Sequence, residues 1–339
     1  MGELHWNAEA LRLQLEAALP GIEVEVADET GSTNTDLLEA ARAAAQGLRE
    51  PDAGVQVRRS IESRAYVANL APEAFAPRLL VAERQTGGRG RQGRSWLSER
   101  GASLTFSLAL ALDTADLSGL SLAVGVALAD ALDPAPAAGH DPARDPARDP
   151  KRDAELDARL DAGRAQKHAA RPRLALKWPN DLWLVDDASA GGRKLGGVLI
   201  ETAPLGARRV AVIGIGLNVR PIAASAGLAS GSASFQELEP DASAPALLAR
   251  IAPALAAALR LFERAGFGPF HARYSARDLL FAQPVRTTQP DVPEGIAAGV
   301  TAQGSLLVRT PEGTVRPVSS GEVSVRLALP ATTGARAAA

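Results

Sequence analysis

Residues 83–96 read Glu-Arg-Gln-Thr-Gly-Gly-Arg-Gly-Arg-Gln-Gly-Arg-Ser-Trp, the most unusual stretch of the chain. Gly87, Gly88, Gly90 and Gly93 let the main chain approach a ligand and turn N–H groups toward it, while Arg89, Arg91 and Arg94 carry permanent charge. Such a loop suits a polyphosphate or phosphate diester that must be covered during reaction. It is not a Walker A loop, because no Gly-Lys-Ser/Thr follows. The same composition also suits an exposed loop or an RGG-like nucleic-acid segment.

Four further segments carry polar groups at element ends. Lys177-Trp178-Pro179-Asn180-Asp181 joins two apolar runs and places Asn180 and Asp181 at the turn, although Pro-Asn-Asp is also plain turn chemistry. Lys194 starts a strand-like run in which Gly196 and Gly197 permit close backbone approach; a solvated strand-end lysine would look the same. Gly214-Ile215-Gly216-Leu217-Asn218 lacks the third glycine of a dinucleotide fingerprint. Gly31-Ser32-Thr33-Asn34 offers two hydroxyls and an amide at a loop-to-helix junction, where Thr33 or Asn34 also suits a helix cap. None of these segments contains histidine, and no Gly-x-Ser-x-Gly elbow occurs, which disfavours serine-nucleophile chemistry.

The elements that must position these groups follow from periodicity. Residues 8–19 bring Leu11, Leu15 and Leu19 to one helical face; a strand at 22–26 and a helix running to about 46 come next. Strands are expected from 79, at 102–110, at 174–178 and 182–185 as a hairpin, and at 194–202 and 208–216 with a turn at 204–207. Residues 116–132 read as a buried helix, and 245–265 as an amphipathic helix with Pro245 in its first turn and a kink at Pro253. These elements predict a mixed α+β unit whose sheet is mainly antiparallel. After residue 280, five short strands broken by Gly or Pro turns predict a small β-barrel. Residues 47–77 are turn-rich, and 133–173 repeats Asp-Pro-Ala-Arg, with no apolar face to bury.

Composition narrows the function classes. The 339 residues include no cysteine, so disulfides, thiolate metal sites and cysteine nucleophiles are excluded. The four histidines are scattered, which argues against a histidine-rich zinc site. A net charge of -2 and 4% aromatic residues oppose a nucleic-acid-binding protein built on the Gly/Arg loop and the barrel. Neither a signal peptide nor a membrane span is expected, which leaves the cytoplasm as the default location.

Taken together and in this order, GSTN, GGRGRQGRSW, KWPNDLWL, RKLGGVLIE and VIGIGLNV resemble the biotin–protein ligase family, in the form lacking an N-terminal DNA-binding domain. The resemblance runs from about residue 29 to residue 327, broken at 47–77 and 133–173. It implies a fold like that of class II aminoacyl-tRNA synthetases and biotin synthetases at 1–280, an SH3-like barrel at 281–329 and a disordered tail at 330–339. By the same resemblance Ser32, Thr33 and Gln85 would hydrogen-bond the biotin ureido ring, with Asn34, Gly88, Gly197 and Gly214 beside it. Arg89, Gly90 and Arg91 would cover the ligand, and Lys194 would bind its phosphate and carboxylate oxygens. Trp96 would flank the adenine, with Arg91, Arg94, Asn180, Leu217 and Asn218 on the nucleotide side. Asp181 is the candidate for orienting or accepting the amine proton in transfer.

The implied reaction takes biotin and ATP with Mg2+ to an acyl-adenylate, then to a lysine of the biotin carboxyl carrier protein of acetyl-CoA carboxylase or a related carboxylase. No Mg2+ ligand is assigned. A lipoate–protein ligase shares the implied fold and adenylate chemistry, but GRGRQGR and KWPNDL favour biotin; an inactive biotin-responsive scaffold is the remaining alternative. Only about 28 residues precede the ligase signature, too few for a helix-turn-helix domain, so no DNA binding is expected. Either a monomer or a homodimer, paired through an exposed sheet edge, fits this reading.

Overall fold

The computed structural model describes residues 4–46, 75–114, 116–134, 172–186, 191–222, 231–319 and 325–327. Almost all of the expected breaks at 47–77 and 133–173, and the whole of the expected tail at 330–339, lie outside these residues.

Strands β1 (Glu23–Thr30), β2 (Arg78–Gln85), β3 (Ser103–Leu112), β4 (Arg173–Lys177), β5 (Asp181–Val185), β6 (Arg193–Leu205) and β7 (Arg208–Asn218) form one sheet in the order β1-β2-β3-β7-β6-β5-β4. Only β1 and β2 pair in parallel; the other pairings are antiparallel. The turn expected at 204–207 is tighter than its sequence suggested. Pro204 still pairs with Arg209, and only Gly206 and Ala207 lie outside the ladder, Gly206 at a φ of 56°. A glycine at the first central position is what a two-residue hairpin loop of the primed type requires.

Helices cover both faces of this sheet. On one face lie α1 (Ala8–Glu16), α3 (Leu120–Leu132) and α4 (Ala244–Ala265), packed on Leu104, Phe106, Leu108, Leu110 and Leu112 of β3. α3 is apolar all round and buried for nearly its whole length, as a helix sandwiched between sheet and helix must be. Among the described residues α4 alone is long and apolar enough to cross a bilayer, yet Leu247, Leu248, Ile251, Leu255, Leu259 and Phe262 are buried in this core. The opposite face carries α2 (Thr33–Ala45), whose Leu37, Leu38 and Ala41 close a second cluster with Ala109, Ala111, Ala203, Leu205, Val210 and Val212. Because strand side chains alternate, these residues mark the positions that look toward α2.

A second, antiparallel sheet holds β8 (Pro284–Thr287), β9 (Glu294–Val300), β10 (Leu306–Arg309), β11 (Val315–Val318) and β12 (Val325–Leu327), in the order β11-β10-β9-β8-β12. It is tied to the β4–β5 turn by the buried Trp178, whose Nε1 donates to Gly304 O at 3.0 Å.

Candidate active site

Following the α2 face toward the start of that helix, the alternation continues while the residue types change. Ala109 gives way to Ser107 and Thr105 on β3, Val212 to Gly214 and Gly216 on β7, and Ala203 to Glu201, Leu199 and Gly197 on β6. Apart from Leu199, the apolar side chains that filled the space under α2 are thereby replaced by small or polar ones. The space they leave is a cavity of about 700 Å³. A methyl group on Gly214 would lie 2.3 Å from Asn34 Oδ1, and one on Gly216 would lie 2.4 Å from Trp96 Cε2. Both glycines are therefore required so that Asn34 and Trp96 can approach the sheet this closely.

At the β3 end of the cavity the polar groups are tightly joined. Ser32 occupies the cap position of α2 but makes no side-chain cap bond, so neither Thr33 nor Asn34 caps the helix; both lie in its first turn and face the sheet. Thr33 N donates to Gln85 Oε1 at 2.8 Å, Thr33 Oγ1 lies 2.6 Å from Ser107 Oγ, and Ser107 Oγ donates to Asn34 Oδ1 at 2.6 Å. Asn34 Nδ2 donates to Glu201 Oε2 at 2.9 Å, and Arg89 of the Gly/Arg loop donates to the same carboxylate at 3.2 Å.

At the β4 end the cavity is cationic. Lys194 Nζ pairs with Asp181 Oδ1 at 2.6 Å, and Arg91 reaches Asn180 Oδ1 at 3.4 Å, while Asn180 Nδ2 donates to Val198 O at 2.7 Å. Burial lowers the Arg91 guanidinium from its ordinary value, against the attraction of Asp181. Lys177 Nζ donates to Val325 O of β12 at 2.9 Å and lies 5.6 Å from the centre of the Trp183 ring. Burial pulls the Lys177 amine below the ordinary lysine range; Asp181 opposes this, and Lys194, Arg94 and Arg326 add to it. The indole Nε1 atoms of Trp96 and Trp183 are buried without a hydrogen-bond partner among the described residues.

Most of the residues singled out from sequence line this one cavity: Ser32, Thr33, Asn34, Gln85, Arg89, Gly90, Arg91, Arg94, Trp96, Asn180, Asp181, Lys194, Gly197 and Gly214. Three do not. Leu217 points to the other side of β7 and is wholly buried in the core. Asn218 spends its amide on Ala233 O at 3.0 Å. Gly88 packs on the Trp96 backbone, where a methyl group would lie 2.6 Å from Trp96 O, so it shapes the loop without facing the cavity. Conversely, Ser107, Glu201, Lys177, Trp183 and the β12 residues Val325, Arg326 and Leu327 belong to the cavity or its supporting bonds and were not singled out as site residues. A signal for Ser107 exists: Ser103, Thr105 and Ser107 recur at every second position of an otherwise apolar strand. Nothing local marks β12.

The profile of the Biotin/lipoate A/B protein ligase family matches residues 59–218, and that of the Biotin protein ligase C terminal domain matches residues 283–326. The chain is 31% identical over 268 residues to the Bifunctional ligase/repressor BirA of Salmonella typhimurium, covering 78% of this chain and 71% of that protein. It is 30% identical over 330 residues to the Biotin--[acetyl-CoA-carboxylase] ligase of Mycobacterium tuberculosis, covering 93% of each. A solved biotin protein ligase from Aquifex aeolicus, in complex with biotin and ATP, superimposes with a TM-score of 0.60 at 22% identity, over 90% of this chain and 99% of that one.

Proposed function

We propose, for a chain that belongs to the biotin protein ligase family, that it adenylates biotin with ATP and then transfers the biotinyl group to a lysine of a biotin carboxyl carrier protein. One observation carries the reading: a single cavity joins a hydrogen-bonding cradle of hydroxyls and amides at β3 to a cluster of cations toward β4. Lys194 on β6 lies two inter-strand steps from β3 and Lys177 on β4 four, roughly 10 and 19 Å at the usual strand spacing, a reach that suits an extended acyl-adenylate.

In the first step the biotin carboxylate attacks the α-phosphorus of ATP, and pyrophosphate leaves. Two anions must meet, so Lys194, Arg91 and Arg94 act by lowering their repulsion and stabilising the charge that develops on the leaving group. Among the described residues no group of three or more acidic, histidine or cysteine side chains is placed to hold a metal ion, so Mg2+ would arrive with the triphosphate. The mixed anhydride is water-sensitive, and the Gly/Arg loop shields it. In the second step the acceptor amine attacks the acyl carbon, AMP departs, and the amine proton passes to a base. Asp181 suits that role once Lys194 turns from it to the ligand, since the two are joined at 2.6 Å in this state. Residues 1–280 supply this chemistry and residues 281–329 close the cavity through β12. The net charge of -2 supports a ligase without duplex DNA binding, which a mobility-shift assay with random and palindromic duplexes checks.

The decisive experiment incubates the protein with biotin, Mg-ATP and a biotin carboxyl carrier domain and reads intact mass. The expected result is a gain of one biotin on the acceptor that needs ATP. No gain with biotin, or a gain only when lipoic acid and a lipoyl domain are supplied, would overturn the reading.

A further inference from the structure

Glu201 has no place in the proposed chemistry, yet the hydrogen bonds at the β3 end of the cavity converge on it. It lies on β6 opposite Val212, on the same side as Gly197 and Leu199. Its carboxylate accepts Asn34 Nδ2 at 2.9 Å and holds the Arg89 guanidinium with both oxygens at 3.2 Å. We infer that Glu201 is a positioning residue that sets the proton directions from Asn34 through Ser107 to Thr33 in the ring cradle, and so presents acceptors there to N–H donors. The inference rests on the biotin-ligase reading.

The direction follows from donor counting. Asn34 Nδ2 faces the Glu201 carboxylate and, at 3.3 Å, the Leu199 carbonyl. Both can only accept, so the Asn34 amide must turn its NH2 toward them and its Oδ1 toward Ser107. Ser107 has a single hydroxyl proton, and it goes to that Oδ1 at 2.6 Å. Ser107 Oγ is then an acceptor for Thr33 Oγ1 at 2.6 Å, a closer partner than Gln85 Oε1 at 3.2 Å, and either bond uses the only Thr33 hydroxyl proton. Gln85 Oε1 is already held by Thr33 N at 2.8 Å. With these protons spent, Thr33 Oγ1 and Gln85 Oε1 can offer a ligand only lone pairs. A cyclic urea, with an N–H on either side of its carbonyl, answers both. A dithiolane ring answers neither and would leave two acceptors desolvated and unmade. Glu201 thus acts on specificity through Asn34, Ser107 and Thr33, without touching the ring.

The test measures biotin-dependent ATP–pyrophosphate exchange, with KM for biotin and for ATP determined separately and a melting temperature for each variant. Glu201→Met removes the nearer of the two acceptors of Asn34 Nδ2, leaving only the Leu199 carbonyl at 3.3 Å, and should raise the biotin KM by about 10- to 100-fold while the ATP KM stays within about twofold. Glu201→Gln can still offer its carbonyl to Asn34 and should stay within about threefold of the parent, even though it loses the charge that holds Arg89. Ser107→Ala breaks the relay at its middle by a small change in a buried strand, and should reproduce the Glu201→Met effect. Parent-like biotin KM values in Glu201→Met and Ser107→Ala would overturn the inference and leave the ligase reading standing. Equal damage from Gln and Met would also overturn it, by showing that the Arg89 contact is what matters. If the parent itself exchanges nothing in response to biotin, the ligase reading fails and this inference with it.

Discussion

Gly216→Ala adds one methyl group to the floor of the cavity, and its consequence can be worked out from three distances. The new carbon would lie 2.4, 2.6 and 2.8 Å from Cε2, Cζ2 and Nε1 of Trp96. Relaxed contact between such atoms begins near about 3.5 Å, so the indole must retreat by roughly 1 Å. Gly216 does not have positive φ, so alanine brings no backbone penalty and the clash stands alone. Overpacking of this kind costs about 1–3 kcal/mol. If the displaced ring intrudes on the nucleotide, the ATP KM should rise by roughly 5- to 150-fold, the range those energies correspond to. Initial-rate exchange assays at saturating biotin measure it. Gly214→Ala is the matched control, two residues away on the same face, where the methyl would meet Asn34 Oδ1 at 2.3 Å. There the biotin KM should rise and the ATP KM should not. A Gly216→Ala protein with unchanged ATP KM, or with its defect in biotin, would refute the assignment of Trp96 to the nucleotide side.

Three other substitutions probe the loop, the joint between the sheets and the buried acid. Arg91→Gly removes a half-buried guanidinium beside Asn180, and trapped acyl-adenylate should leave the enzyme faster in a filter-retention assay; an unchanged release rate would remove Arg91 from the lid. Trp178→Phe deletes the Nε1 donor to Gly304 O and should lower stability by about 1–3 kcal/mol in urea titrations, because that carbonyl stays buried. Burial raises the Asp278 carboxyl to about 7, against the N–H groups of Leu280 and Phe281. An unfolded aspartate titrates near about 3.9, so the native state holds a proton that the unfolded chain has released between those values. Stability from this group is therefore full below about pH 4 and is lost as pH rises toward 7, and Asp278→Asn should flatten that slope in unfolding curves recorded across the window.

Much of the fold was legible because the signals are local. The apolar runs of 194–202 and 208–216, the leucines of 8–19 and the apolar run of 116–132 each specify an element without reference to any other. The glycine and arginine content of 87–94 likewise singled that loop out, although the same composition also suits an exposed loop. Sidedness was harder. Leu217 and Asn218 end the same motif as Gly214 and Gly216, yet Leu217 faces the core and Asn218 binds Ala233 O, while the glycines open the cavity floor. A motif string does not say which of its residues share a face with the ligand; the register against β3 and β6 does.

By itself, then, the sequence determined the element types, the chemical character of the loop and the family, since each resides in residue identity at short spacing. Tertiary structure decided that Ser107, Asn34 and Glu201, far apart in the chain, form one relay. It also decided that β12 closes the cationic end through Lys177. The reason is that pairing register and helix docking act across long separations. A hydroxyl or a lysine becomes functional there only through the partner that folding brings within hydrogen-bond reach.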